Sequence, residues 1–107
     1  MSKAGKSEVK KGMRVFTYKE DSMSFTKDIA NELLYRHPEN PVVVGREKGD
    51  EVKLSIRAAN HIIPPILQKA LRGIEGYGGG HEHACGACVK THDFERFIDN
   101  LHAGFFS

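Results

Sequence analysis

Apolar residues recur along this chain in two rhythms, and the change from one to the other marks out the elements. Met13-Arg14-Val15-Phe16-Thr17-Tyr18 is rich in β-branched and aromatic residues and predicts a strand. Lys19 to Ser22 is polar and reads as a turn. From Ser24 the period lengthens: Phe25, Ile29 and Leu33 fall at i, i+4 and i+8, flanked by Ala30 and Leu34, which is the apolar face of a helix. Ser24 suits its N-cap, and Asp28 sits early, where the helix dipole favours an acid. Pro38 disfavours the helical conformation at His37 and stops the element there. Pro41 to Arg46 is a short continuous apolar run, hence a buried strand, and Lys48-Gly49-Asp50 is a turn. Glu51 to Ala58 then alternates, with Val52, Leu54 and Ile56 on one face and Lys53, Ser55 and Arg57 on the other.

Pro64 and Pro65 fit only the first turn of a second helix, whose core face is Ile66, Leu67, Ala70, Leu71 and Ile74. Gly73 and Gly76 end it and open a glycine-rich loop. His83 to Lys90 reads as a strand of small residues. Thr91 caps a last helix with Phe94, Phe97, Ile98 and Leu101 at i, i+3, i+4 and i+7. The expected order is β-α-β-β-α-β-α, which is α/β class with a mixed sheet flanked by helices.

The length of 107 residues suits one domain, and 39% apolar with 28% charged residues is ordinary for a globular chain. Residues 1–12 have little apolar content and read as a flexible basic linker or tail, leaving 13–107 as the folded domain. Lys3, Lys6, Lys10, Lys11 and Arg14 against Glu8 concentrate positive charge at this end, although the whole chain carries only +2. No run approaches the roughly 18 apolar residues of a membrane span. Two cysteines three positions apart, without secretory features, point to a reducing cytoplasm.

The chemistry concentrates in Gly76-Tyr77-Gly78-Gly79-Gly80-His81-Glu82-His83-Ala84-Cys85-Gly86-Ala87-Cys88. Three consecutive glycines offer no core side chain, so packing does not account for them and a binding loop does. His81, His83, Cys85 and Cys88 offer four zinc ligands by type. On one continuous strand, however, Cys88 falls opposite the other three. A redox Cys-x-x-Cys starts a helix, whereas this one lies inside a strand. Both cysteines read most simply as small buried hydrophobes. Anion binding is the third reading, with glycine N–H groups cradling a phosphate and His81 beside them. The residues alone leave these open.

Gly78-Gly79-Gly80-His81-x-His83-Ala84-Cys85-Gly86 resembles the GGGHxxAAG signature of the C-terminal domain associated with DHH phosphoesterases. That superfamily includes RecJ-type single-strand exonucleases, nanoRNases and cyclic-dinucleotide phosphodiesterases. Leu54-Ser55-Ile56-Arg57 is similar to its SxRS strand, and the resemblance runs from about Met13 to Leu101. Cys85 replaces the second alanine, and Ala58 stands where serine is common. The resemblance implies that Gly78, Gly79, Gly80 and His81 contact a substrate phosphate and that Arg57 pairs with one. Ser55 would belong to the same surface, His83 would either join it or orient its neighbours, and Tyr77 would either stack on a base or pack within the loop or core.

No Asp-His-His motif occurs, so no catalytic or metal-binding residue is assigned in this chain. Two divalent metals, usually manganese, and the hydrolytic step would belong to a DHH catalytic domain elsewhere. The expected protein is therefore a substrate-binding domain, excised from a larger phosphoesterase or cut short at its N-terminus. Its partners would be single-stranded nucleic acid, a short oligonucleotide or a nucleotide, with no membrane. The alternatives are the tRNA-binding appended domain of an alanyl-tRNA synthetase or editing relative, and a zinc-stabilised interaction module.

Overall fold

A computed structural model describes residues 6–10, 12–19 and 26–106. They form strands β1 (Lys6–Lys10), β2 (Met13–Lys19), β3 (Val42–Lys48), β4 (Glu51–Arg57), β5 (Gly76–His81) and β6 (Ala84–Lys90). The helices are α1 (Thr26–Arg36), α2 (Ile63–Ala70) and α3 (Phe94–Phe106), the last entered through a 3-10 turn at Thr91–Asp93. The strands make one mixed sheet in the order β1-β2-β3-β4-β6-β5. Among these strands only β2 and β3 are parallel, as a connection through α1 demands; every other neighbouring pair is antiparallel.

The α/β class and the mixed, helix-flanked sheet are as expected. Alternation along the strands sends one set of side chains to each face. On one face Val15, Val43, Val52, Leu54, Ile56, Cys85 and Val89 pack against Ile63, Leu67 and Ala70 of α2 and Phe97, Ile98 and Leu101 of α3. On the other, Val42 and Val44 meet Ala30, Leu33 and Leu34 of α1. α1 lies over β3 and the adjoining part of β4. Beyond it, the same face of β4, β6 and β5 carries no helix among the described residues. Among them, too, no helix is long and apolar enough to cross a membrane.

Two elements depart from the sequence reading. Lys6–Lys10, expected within a linker, forms β1 and pairs with β2 from Lys10↔Met13 to Lys6↔Thr17. Gly12, at φ 94°, supplies the reversal. Ladder bonds need only backbone groups, so a lysine-rich strand leaves no apolar rhythm to read. Likewise the expected glycine loop is the edge strand β5, hairpinned to β6 through Glu82-His83. The other expected elements are present with ends shifted by a residue or two, except that α2 stops at Ala70, short of Leu71 and Ile74, which were expected on its core face. Ser24 and Phe25, expected to open the first helix, lie outside the described residues. Thr91 begins the 3-10 turn without a side-chain cap bond; Asp93 instead accepts the Glu75 N–H at 2.8 Å.

Candidate functional site

Register alone builds a grid on the uncovered sheet face. Arg57 pairs with Ala84, and Ala84 with His81; Ser55 pairs with Gly86, and Gly86 with Gly79; Lys53 pairs with Cys88, and Cys88 with Tyr77. Residues two apart on a strand share a face, so these nine positions form three rows across β4, β6 and β5. Neighbouring strands lie about 4.8 Å apart, which puts Arg57 and His81 backbones about 10 Å from one another. The middle row is nearly bare.

Its glycines are not spaced by packing. A Cβ added to Gly79 would meet no atom within 4 Å, and one on Gly86 would meet only the Leu54 carbonyl oxygen at 3.6 Å. The glycines of the other face are different. A Cβ on Gly78 would lie 2.8 Å from the Ala87 Cβ, and one on Gly80 2.6 Å from the Ala84 carbonyl oxygen. Gly80 also takes φ 153°. Packing therefore does require Gly78 and Gly80, contrary to the expectation that it accounts for none of the three. The N–H groups of a strand also alternate between its partner and its free side. Three consecutive glycine N–H groups therefore cannot converge on one anion, and the pleat sets Gly78 and Gly80 on the face opposite Gly79.

The charged end of the grid is held firmly. Arg57 is half-buried; its Nε donates to Asn31 Oδ1 of α1 at 3.0 Å, and its Nη1 to the carbonyls of Ile56 at 3.0 Å and Cys85 at 3.3 Å. Nη2 is the nitrogen these bonds leave over. Burial lowers the guanidinium pKa, partly offset by the Cys85 thiol. An arginine starts so far above neutrality that it stays charged. Ser55 is buried in the floor, and His81 is exposed at the far end of the Arg57 row.

His83 does a different job. Its Nδ1 lies 2.9 Å from both the Ala58 and His61 carbonyls. Two acceptors require Nδ1 to carry the proton, which makes His83 the donor. The Ala58 N–H returns a bond to the His83 carbonyl at 3.3 Å, and the Ile63 N–H donates to the Glu82 carbonyl at 2.7 Å. The hairpin tip is thus pinned to the connection between β4 and α2, which fixes the backbone beside His81.

The cysteines separate. Cys85 faces the α2–α3 core and donates its S–H to the His81 carbonyl at 3.2 Å, while Cys88 lies on the opposite face beside Tyr77. Burial raises both thiol pKa values, so neither is an activated thiolate. Among the described residues no three His, Cys, Asp or Glu side chains gather as metal ligands. His81, His83, Cys85 and Cys88 are not brought together.

Arg57, Ser55, Gly79 and His81 do share a surface. Asn31, Gly86 and Lys53 join it without having been expected as site residues. Gly86 was within reach of sequence reading: a two-residue turn at Glu82-His83 would align it with Gly79. Asn31 carried no such signal.

The family model described as the DHHA1 domain matches residues 14–105. No curated protein matches the chain in sequence. Among solved structures, the C-Ala domain of alanyl-tRNA synthetase from Aquifex aeolicus superposes with a TM-score of 0.72 at 18% identity, covering 92% of this chain and 96% of that one. A DHH-domain protein described as belonging to a family of ribosomal proteins gives 0.58 at 15% identity, over 97% of this chain and 28% of that one. The pGpG-specific phosphodiesterase PggH from Vibrio cholerae gives 0.59 at 13% identity, over 92% and 36%. At such identities the likeness is one of fold. The chain spans nearly all of the first and about a third of the other two.

Proposed function

The chain belongs to the DHHA1 domain family, and on that footing we propose that it holds a phosphate of single-stranded nucleic acid, a short oligonucleotide or a nucleotide on the open face of its sheet. The observation that carries this reading is the facing pair Gly79 and Gly86, bare where a side chain would fit, beside an arginine braced at two of its nitrogens. Bare backbone lets a ligand approach closely, and a preset guanidinium loses little freedom on pairing with a phosphate. His81 closes the row from the other side.

The chain binds substrate and does not cut it. By family resemblance, the two divalent metals, usually manganese, would sit in a cytoplasmic DHH partner domain of RecJ-like nuclease type. There they would activate water for in-line displacement. This chain's part is to fix the phosphate relative to that centre. A second reading is an appended tRNA-binding domain, favoured by the fuller superposition on the C-Ala domain. Competition between tRNA and a short 5′-phosphorylated oligonucleotide separates the two.

The test is fluorescence anisotropy with a labelled 5′-phosphorylated oligonucleotide. Arg57→Ala and His81→Ala should each weaken binding by about tenfold or more, because each removes a charge-assisted contact. Thermal unfolding should stay close to wild type for His81→Ala. Unchanged affinity in both variants would contradict the assignment.

A further inference from the structure

We infer that Tyr77 and Lys53 form a second subsite that takes a nucleobase, so that the open face reads a two-nucleotide segment of a single strand rather than an isolated phosphate. The inference rests on the preceding reading of the Arg57 row as the phosphate subsite. Lys53 and Tyr77 end the third row of the grid, across β4, β6 and β5, with Cys88 between them. Four residues of strand separate Lys53 from Arg57, about 13 Å at 3.3 Å per residue. That exceeds one nucleotide's backbone repeat and suits two. The floor between the rows is Ser55, Gly86 and Gly79, which leaves the path of a strand unobstructed.

Tyr77 is 70% exposed although it is the largest side chain on β5. It is not a stray surface aromatic. It stands opposite Cys88 in the β5–β6 register, and the neighbouring Cys88 thiol, with a smaller push from the Glu51 carboxylate, raises the phenol pKa. Cys88 is only 6% exposed even though α1 does not cover this part of the face. The Tyr77 ring therefore borders the uncovered sheet face with most of its surface open to solvent. Gly79, the next residue of β5 on the same face, puts no side chain beside the ring. A depression beside it is lined by Lys53, Tyr77, Gly79, Gly86 and Cys88.

The occupant must be flat, and it must carry negative charge nearby. Lys53 is exposed, and Glu51, two residues before it on the same face of β4, has its carboxylate 3.6 Å from Lys90 Nζ. A base stacked on Tyr77 with its phosphate on Lys53 meets both conditions, since aromatic stacking and a cationic edge are how single strands are held.

The test is an NMR titration of the wild-type chain and its variants with two ligands. One is 5′-phosphorylated diadenylate, and the other is the same dinucleotide lacking both bases. Tyr77→Ala should weaken diadenylate binding about tenfold and leave the abasic ligand unchanged, while Tyr77→Phe should bind both like wild type. Lys53→Ala should weaken both ligands. If Tyr77→Ala binds diadenylate as tightly as wild type while Arg57→Ala loses it, this subsite is refuted and the phosphate site survives. If the wild-type chain binds neither ligand, both readings fall.

Discussion

The two faces of the β5–β6 hairpin use the same residue for opposite reasons. On the face toward α2 and α3, Gly78 and Gly80 are glycine because β6 lies too close for a Cβ. On the other face, Gly79 and Gly86 have room for a side chain and carry none. Packing explains the first pair and leaves the second unexplained. Where the fold permits a side chain and the chain omits it, the reason lies outside the fold, in whatever approaches that surface. The neighbours point the same way: the packed face continues into Leu54, Ile56 and Val89, whereas the open one continues into Arg57, Lys53, Tyr77 and His81.

Substitutions on the two faces should therefore part company. Gly80→Ala should cost about 3 kcal/mol, combining a clash with the Ala84 carbonyl and backbone strain at φ 153°. Chemical denaturation would show it, and a near-neutral Gly80→Ala would mean the hairpin can open without penalty. Gly79→Val should leave stability within about 0.5 kcal/mol of wild type. The same variant should weaken oligonucleotide binding about tenfold, equivalent to roughly 1.4 kcal/mol. Unfolding by Gly79→Val, or full binding by it, would erase the contrast between the faces.

Smaller effects test how the open face is braced. His83→Ala should destabilise by about 1 kcal/mol through loss of its bonds to Ala58 and His61. It should also speed hydrogen exchange at the Ala58 and Ile63 amides. His83→Asn, which keeps a donor near Nδ1, should recover part of that protection; exchange equally fast in both variants would deny the clamp. At the far end of β5, the Glu75 N–H and then the Arg96 guanidinium hold the Asp93 carboxyl below the usual carboxylate range. A carboxylate depressed on folding adds stability that is fully present above about pH 4. That stability is lost as pH falls through the folded value. Asp93→Asn should accordingly flatten the acid limb of unfolding, and an unaltered limb would show that Asp93 bears no proton linkage.

Much of this architecture was legible because side-chain rhythm reports burial. Val52, Leu54 and Ile56 alternate into the core as their spacing predicts, and the α3 face of Phe97, Ile98 and Leu101 does the same. What escaped was structure that writes no apolar signature. β1 is mostly charged or polar and β5 mostly glycine, so their pairing is a matter of backbone bonds and close approach. Within the site, alternation placed Arg57 and Ser55 on the polar face of β4, and the family resemblance marked them, with Gly79 and His81, as site residues. Lys53 and Gly86 needed the register of β6 against β4 and β5. Asn31 sits 26 residues before the arginine it braces, and only the docking of α1 reveals it. His83 was expected either to contact ligand or to orient its neighbours, and the bonds of its Nδ1 to the Ala58 and His61 carbonyls favour the second role.

The central claim is that the open face of β4, β6 and β5 receives a phosphate-bearing strand, and amide chemical-shift mapping tests it most directly. On titration with a 5′-phosphorylated oligonucleotide, the amides of Arg57, Gly79, Gly86 and His81 should shift together, and those of Leu67, Phe97 and Leu101 in the opposite layer should stay in place. Shifts confined to α2 and α3, or none on β5 and β6 at saturating ligand, would contradict it.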